Sequence, residues 1–165
     1  MLVRVNKLIL SLFTIAILLA VSCDSSRIYE ENIVLENKFW EADSIKKFEF
    51  VIPDKTSEYS LFLNVRNANN YAYNNIYVRY TLLDTLDNIL TSELVSNNLF
   101  EPKTGDPMGE SSIGNVFDHQ FKLIEGQRFE RSGKYVMKLQ QYMRTDTLNG
   151  ILMIGVRVEK NQEKQ

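Results

Sequence analysis

From Phe39 onward, apolar residues recur at every second position, and no stretch of the chain carries the three-to-four-residue spacing of an amphipathic helix. A period of two puts alternate side chains on opposite faces of a strand, so this pattern restricts the chain to sheets with one face against a core. Phe48, Phe50 and Ile52 share a face in KKFEFVI, which Pro53-Asp54-Lys55-Thr56 then stops. Tyr59, Leu61, Leu63 and Val65 form the next apolar face, followed by a turn at Asn67-Ala68-Asn69-Asn70. Ile76, Val78, Tyr80 and Leu82 come next, and a turn at Asp84 to Asn88 joins that strand to Ile89 to Val95 as a hairpin. Beyond a long loop from Ser96 to Gly114, strands are expected at Val116 to Ile124, with Phe117, Phe121 and Leu123 in the core, and after a turn at Glu125-Gly126-Gln127. The cleanest run sets Tyr135, Met137, Leu139, Gln141 and Met143 on one face, and GILMIGVRVE from Gly150 to Glu159 supplies the last strand. Short strands at such intervals, rich in phenylalanine and tyrosine, predict an all-β fold: a single antiparallel β-sandwich, jelly-roll or immunoglobulin-like.

The N-terminus is of another kind. Arg4 and Lys7 precede Leu8 to Val21, an apolar run broken only by Ser11 and Thr14, which is short for a membrane span and suited to a signal-peptide core. Leu19-Ala20-Val21-Ser22-Cys23 then resembles a lipobox, at whose cysteine the chain is cut and acylated. Two features weigh against an accidental cysteine. It is the only one in 165 residues, so it has no disulfide partner, and the chain turns polar directly after it. The expected organisation is a lipoprotein signal peptide over 1–22 and a polar tether over 23–38. The sandwich follows over 39–160, with a disordered tail at 161–165. A first edge strand at Ile33 to Leu35 is the alternative to the tether. On this reading the lipid attachment site is Cys23, and acyl chains fix the protein to the cell envelope, facing the periplasm from either membrane.

Loss of Arg4 and Lys7 with the leader takes the formal net charge from −2 to −4, and no basic stripe is present, so nucleic acid is not an expected partner. The chemistry of catalysis is thin. His119 is the only histidine, and with Cys23 given to lipid a zinc site of nitrogen and sulfur ligands is not expected. Asp118 beside it lies on the opposite face of a strand. No G-x-S-x-G turn exists to present a serine. Asp84, Asp87 and Asn88 have oxygen ligands for calcium but lack the glycine and glutamate of an EF-hand loop. Gly105, Gly109 and Gly114 follow no strand and open no helix, so they make no phosphate cradle. The expectation is a protein that is not an enzyme, without metal or cofactor. Trp40 is read as a plug at one end of the core. With Tyr29 and Phe39, or through Tyr71 and Tyr73, it could instead serve a carbohydrate-binding module, which is the alternative function.

Several segments together resemble the gliding-motility lipoprotein GldH family of Bacteroidetes. They are Cys23-Asp24-Ser25-Ser26-Arg27-Ile28-Tyr29; Trp40 before Asp43-Ser44-Ile45 and Phe48-Glu49-Phe50; and Tyr59-Ser60-Leu61-Phe62-Leu63-Asn64-Val65-Arg66-Asn67 leading to Tyr71. Gly133-Lys134-Tyr135, Leu139 to Arg144 and Gly155 to Lys160 are similar to the family's closing strands. The resemblance implies a non-enzymatic envelope lipoprotein of the gliding machinery, working alongside the type IX secretion apparatus through contacts with other envelope proteins. It transfers a role to Cys23 alone.

Overall fold

A computed structural model describes residues 25–112 and 114–162. Cys23, the leader and the last three residues of the expected tail lie outside the described residues. Eleven strands and no helix occur among the described residues: β1 Arg27–Val34, β2 Phe39–Glu41, β3 Lys46–Ile52, β4 Glu58–Ala68, β5 Asn75–Leu83, β6 Ile89–Asn98, β7 Glu110–Ser112, β8 Val116–Arg128, β9 Gly133–Gln141, β10 Thr147–Asn149 and β11 Ile151–Lys160. They form a five-stranded sheet in the order β1-β11-β4-β8-β7, a four-stranded sheet in the order β3-β9-β5-β6, and a β10-β2 ribbon. All pairings are antiparallel.

Among the eight long strands the pairs are nested. β5 and β6 make the innermost hairpin, β4 pairs with β8 and β3 with β9, and β1 with β11 closes the outside. The double ribbon then rolls on itself through β11·β4 and β9·β5. This is jelly-roll wiring, and it decides between the two sandwiches that spacing left open.

The alternation reads out as burial. Phe48, Phe50 and Ile52 of β3, Ile76, Val78, Tyr80 and Leu82 of β5, and Tyr135, Met137 and Leu139 of β9 face Tyr59, Leu61, Leu63 and Val65 of β4 and Ile154, Val156 and Val158 of β11 across the core. One end is closed by rings, with Phe129 and Tyr135 at 4.4 Å between centroids and Tyr59 and Phe129 at 5.7 Å. Trp40, only 1 % exposed and paired with Leu148 across the β2–β10 ribbon, donates its indole N–H to the Ser44 carbonyl at 2.7 Å. The turns are held by their own side chains. The Asp84 carboxylate accepts from the backbone N–H of Leu86 and Asn88, with Asp87 at φ 60°. Asp54 accepts from Thr56 and Ser57, and those bonds hold its carboxyl well below the usual range.

Four boundaries differ from expectation. The segment expected as a tether contributes β1, so the sandwich starts at Arg27 and not at Phe39. A bulge between Arg27 and Tyr29 shifts the phase of its side chains, and edge position tolerates Glu31 on the inward side, where it accepts from the Tyr29 hydroxyl. β4 runs through Asn67 and Ala68, which puts the reversal after them. Gly126, at φ 68°, sits inside β8 and not in a turn, and the strand continues to Arg128. The expected long loop is shortened from both sides by β6 and β7, and Leu99 and Phe100 in its middle are buried. In the expected tail, Asn161 is bonded to Glu58 and Ser60 of β4.

Candidate functional site

The two sheets present unlike outer surfaces. On the five-stranded sheet the registers align Val34–Met153–Arg66–Asp118–Glu110 in one row across the strands, Asn32–Gly155–Asn64–Gln120 in the next, and Glu30–Arg157–Phe62–Lys122 in a third. Every one of these positions alternates with a core position, which is why so polar a set falls on one surface. Asn64 is buried at the centre of this face. Its amide donates to Glu30 at 3.0 Å and to Asn32 at 3.1 Å, and its carbonyl accepts from Gln120 at 3.1 Å. Asn32 can reach Asn64 only because the residue between them is glycine: a Cβ on Gly155 would overlap the Asn32 carbonyl oxygen and come within 2.6 Å of the Glu31 backbone oxygen.

Cations on this face are matched to carboxylates. Arg66 makes a two-pronged contact with Asp118 at 2.6 and 3.0 Å, and Arg157 donates to Glu159 at 2.6 Å and to Glu30 at 3.3 Å. Partial burial opposes ionisation of Glu30, but the hydrogen bond from Arg27 and the charge of Arg157 outweigh it and hold its carboxyl below the ordinary value. A depression of about 560 Å³ opens around Asn32, Asn64, Gln120 and His119, and a second, of about 850 Å³, lies beyond Phe62 and Ser60 on the same sheet.

His119 and Asp118 point to opposite sides of β8, as neighbours on a strand must. The His119 ring is 7 % exposed, stacks on Phe121 with centroids 5.6 Å apart, and lies 2.9 Å through Nε2 from the Asn67 carbonyl oxygen. Because that oxygen can only accept, Nε2 carries the proton. Burial pushes the pKa of the imidazole down against the weaker pull of Asp118, so the ring is neutral at pH 7. Gly109 packs directly over it, leaving 2.7 Å to the ring from the place a Cβ would occupy.

The outer surface of the four-stranded sheet is charged over β3 and β9, with Lys47, Glu49, Lys134 and Lys138, and carries its apolar patch beside β6. Tyr77, Tyr142, Leu90 and Leu94 are each more than 40 % exposed, and the Arg79 guanidinium sits 4.3 Å over the Tyr142 ring. They adjoin β6, whose outer edge pairs with no other strand. The direction of its backbone groups follows from two bonds, Leu99 N–H to Asn74 C=O and Tyr142 N–H to Tyr77 C=O, both 2.8 Å. Counting along the ladder from these, Thr91, Glu93, Val95 and Asn97 bond to β5, so Ser92, Leu94, Ser96 and Asn98 direct their N–H and C=O groups away from the sheet.

Trp40 and Tyr71 are buried, at 1 % and 6 % exposure, so the aromatic platform envisaged for sugars through them and Tyr73 does not form. Asp84, Asp87 and Asn88 lie together in the β5–β6 turn, where the turn's own N–H groups occupy the Asp84 carboxylate. Gly105 and Gly114 adopt positive φ in separate parts of the β6–β8 connection. The row of amides had a readable signal in the alternating Asn64 and Arg66 of β4, but which strands would join them was not encoded locally.

The described sandwich coincides with the match to a known family: the model of the GldH lipoprotein fits residues 27–158. The chain is 32% identical over 157 residues to the gliding motility lipoprotein GldH homolog of Christiangramia forsetii, covering 91% of this chain and 94% of that one. It is 28% identical over 155 residues to the gliding motility lipoprotein GldH of Flavobacterium johnsoniae, covering 88% and 92%. Among solved structures, the VP2 subviral particle of infectious bursal disease virus overlays with a TM-score of 0.39 at 11% identity, over 84% of this chain and 34% of that one. Dimeric latent PorU of Porphyromonas gingivalis overlays with a TM-score of 0.35 at 9% identity, over 86% and 14%. The family model spans β1 to β11 and the relatives match along nearly their whole length, so the chain belongs to the GldH lipoprotein family.

Proposed function

We propose that this protein is a lipid-anchored, non-enzymatic component of the gliding-motility machinery of the cell envelope, working alongside the type IX secretion apparatus by pairing an extended segment of another envelope protein along β6. Its relatives' names supply gliding motility, and Cys23, with the apolar run before it, supplies the anchor. The carrying observation is the contrast among the outermost strands of the two large sheets. Sheet proteins blunt their edges with charge, shortness or bulges. β1 carries Arg27, Glu30 and Glu31 and a bulge, β7 is three residues long, and β3 carries Lys46, Lys47 and Glu49. β6 is ten residues long, reads ILTSELVSNN with Glu93 as its one charge, and has none of these devices beyond an irregularity at its start.

An added strand would find open N–H and C=O groups at Ser92, Leu94 and Ser96, an apolar contact in Leu94, and side-chain anchors in Tyr77 and the Arg79–Tyr142 pair, residue types that dominate interface energetics. His119, covered by Gly109 and held through Nε2 by Asn67, supports a role without proton transfer.

The test is Leu94→Pro, which deletes an outward N–H and leaves the bonds to β5 intact. The variant is expected to keep the wild-type melting temperature while losing both gliding and the cross-linked envelope partners recovered with the wild type. A folded Leu94→Pro protein with normal motility and the same partners refutes pairing along β6.

A further inference from the structure

The polar surface of the five-stranded sheet is a second binding site, and the geometry points to a neutral oligosaccharide as its ligand. Three features of that surface select this chemistry. First, Asn64 is buried, gives one amide proton to Glu30, and uses the other and its carbonyl to hold the exposed amides of Asn32 and Gln120 in fixed orientation, while neither the Asn32 amide nitrogen nor the Gln120 carbonyl is taken up within the row. A donor and an acceptor are thereby presented ready-made on opposite sides of Asn64, an extended arrangement that suits a chain of sugars. Second, the cations are matched within the protein, Arg66 with Asp118, Arg157 with Glu30 and Glu159, and Lys122 with Glu125. A charged ligand would have to break these pairs, whereas hydroxyl groups can add to the open amides without disturbing them. Third, Phe62 stands half-buried in the neighbouring row between Arg157 and Lys122, an apolar surface for the C–H face of a sugar, and depressions lie on either side of it. The large exposed anchors of a protein interface are on the other sheet, around β6.

Gly155 belongs to the same arrangement. Its missing side chain is what lets Asn32 cross β11 to join the row, so the gap in the middle of the surface serves the amides on both sides.

The experiment is calorimetric titration of the purified full-length protein in detergent micelles with cellohexaose, maltohexaose and the hexamer of N-acetylglucosamine, and with tetragalacturonate as the acidic counterpart. At least one neutral hexasaccharide should bind, with an affinity unchanged by about 0.5 M NaCl. Gln120→Ala, at an exposed position, and Phe62→Ala should each weaken it about tenfold, and Leu94→Pro should leave it intact. Failure of all three neutral hexamers to bind, undiminished binding to a folded Gln120→Ala protein, or binding of tetragalacturonate alone with loss in salt each overturns the assignment. Because the Leu94→Pro measurements concern the opposite sheet, this site and the β6 edge stand or fall separately.

Discussion

Gly155 shows how much a single residue can decide. It lies in the middle of β11, where glycine normally weakens a strand, but the Asn32 side chain passes through the space a Cβ would fill. Gly155→Ala should therefore displace β1 and lower stability by about 1–3 kcal/mol, seen as an earlier thermal transition and faster amide exchange confined to β1 and its partner strand. An unchanged melting temperature would show that β1 yields without cost. Trp40, Tyr71 and His119 make the complementary point. Each is a residue type that invites a functional reading, and each is buried with its polar atom satisfied by one neighbour: the Ser44 carbonyl, the Asn75 carbonyl and the Asn67 side chain. Sequence supplies the residue type, whereas burial, which separates ligand from plug, depends on what the rest of the chain places over the side chain.

The strands with one dry face and one wet face were legible, because alternation and burial are then the same pattern. β3, β5 and β9 run as expected, with Phe48, Ile76 and Met137 wholly buried. β1 was legible only at its end, as the alternative edge strand at Ile33 to Leu35, since its bulge breaks the period and its edge position admits charge. The β6–β7 connection misled for the opposite reason: its two prolines and two glycines mark irregular backbone, but irregular backbone can still be anchored. Leu99 and Phe100 are buried, Phe100 bridges to Pro107, and the Leu99 carbonyl accepts from Met108. Phe100→Ala should accordingly cost about 3 kcal/mol of stability, measured by chemical denaturation, whereas a solvated loop residue would cost almost nothing. Trimming the whole segment between Asn98 and Glu110 would remove core and loop together, so a loss of function there would not separate folding from binding.

At the scale of the molecule, the rolled, double-layered sandwich follows an apolar N-terminal run and the single cysteine in the sequence. Cys23→Ala should leave an unprocessed precursor that takes up no labelled palmitate, because acylation needs the thiol and the chain has no other. Palmitate incorporation in that variant at the wild-type level would rule out anchoring through Cys23. By itself the sequence determined the all-β class, the faces of the central strands and the family, since each is written in local spacing or in matching residues. Only the tertiary structure decided the jelly-roll wiring, the open edge at β6 and the row Asn32–Gly155–Asn64–Gln120. The physical reason is the same for all three: they depend on which strands lie side by side, and residues 32, 64, 120 and 155 become neighbours only when the nested hairpin has rolled up and set its registers.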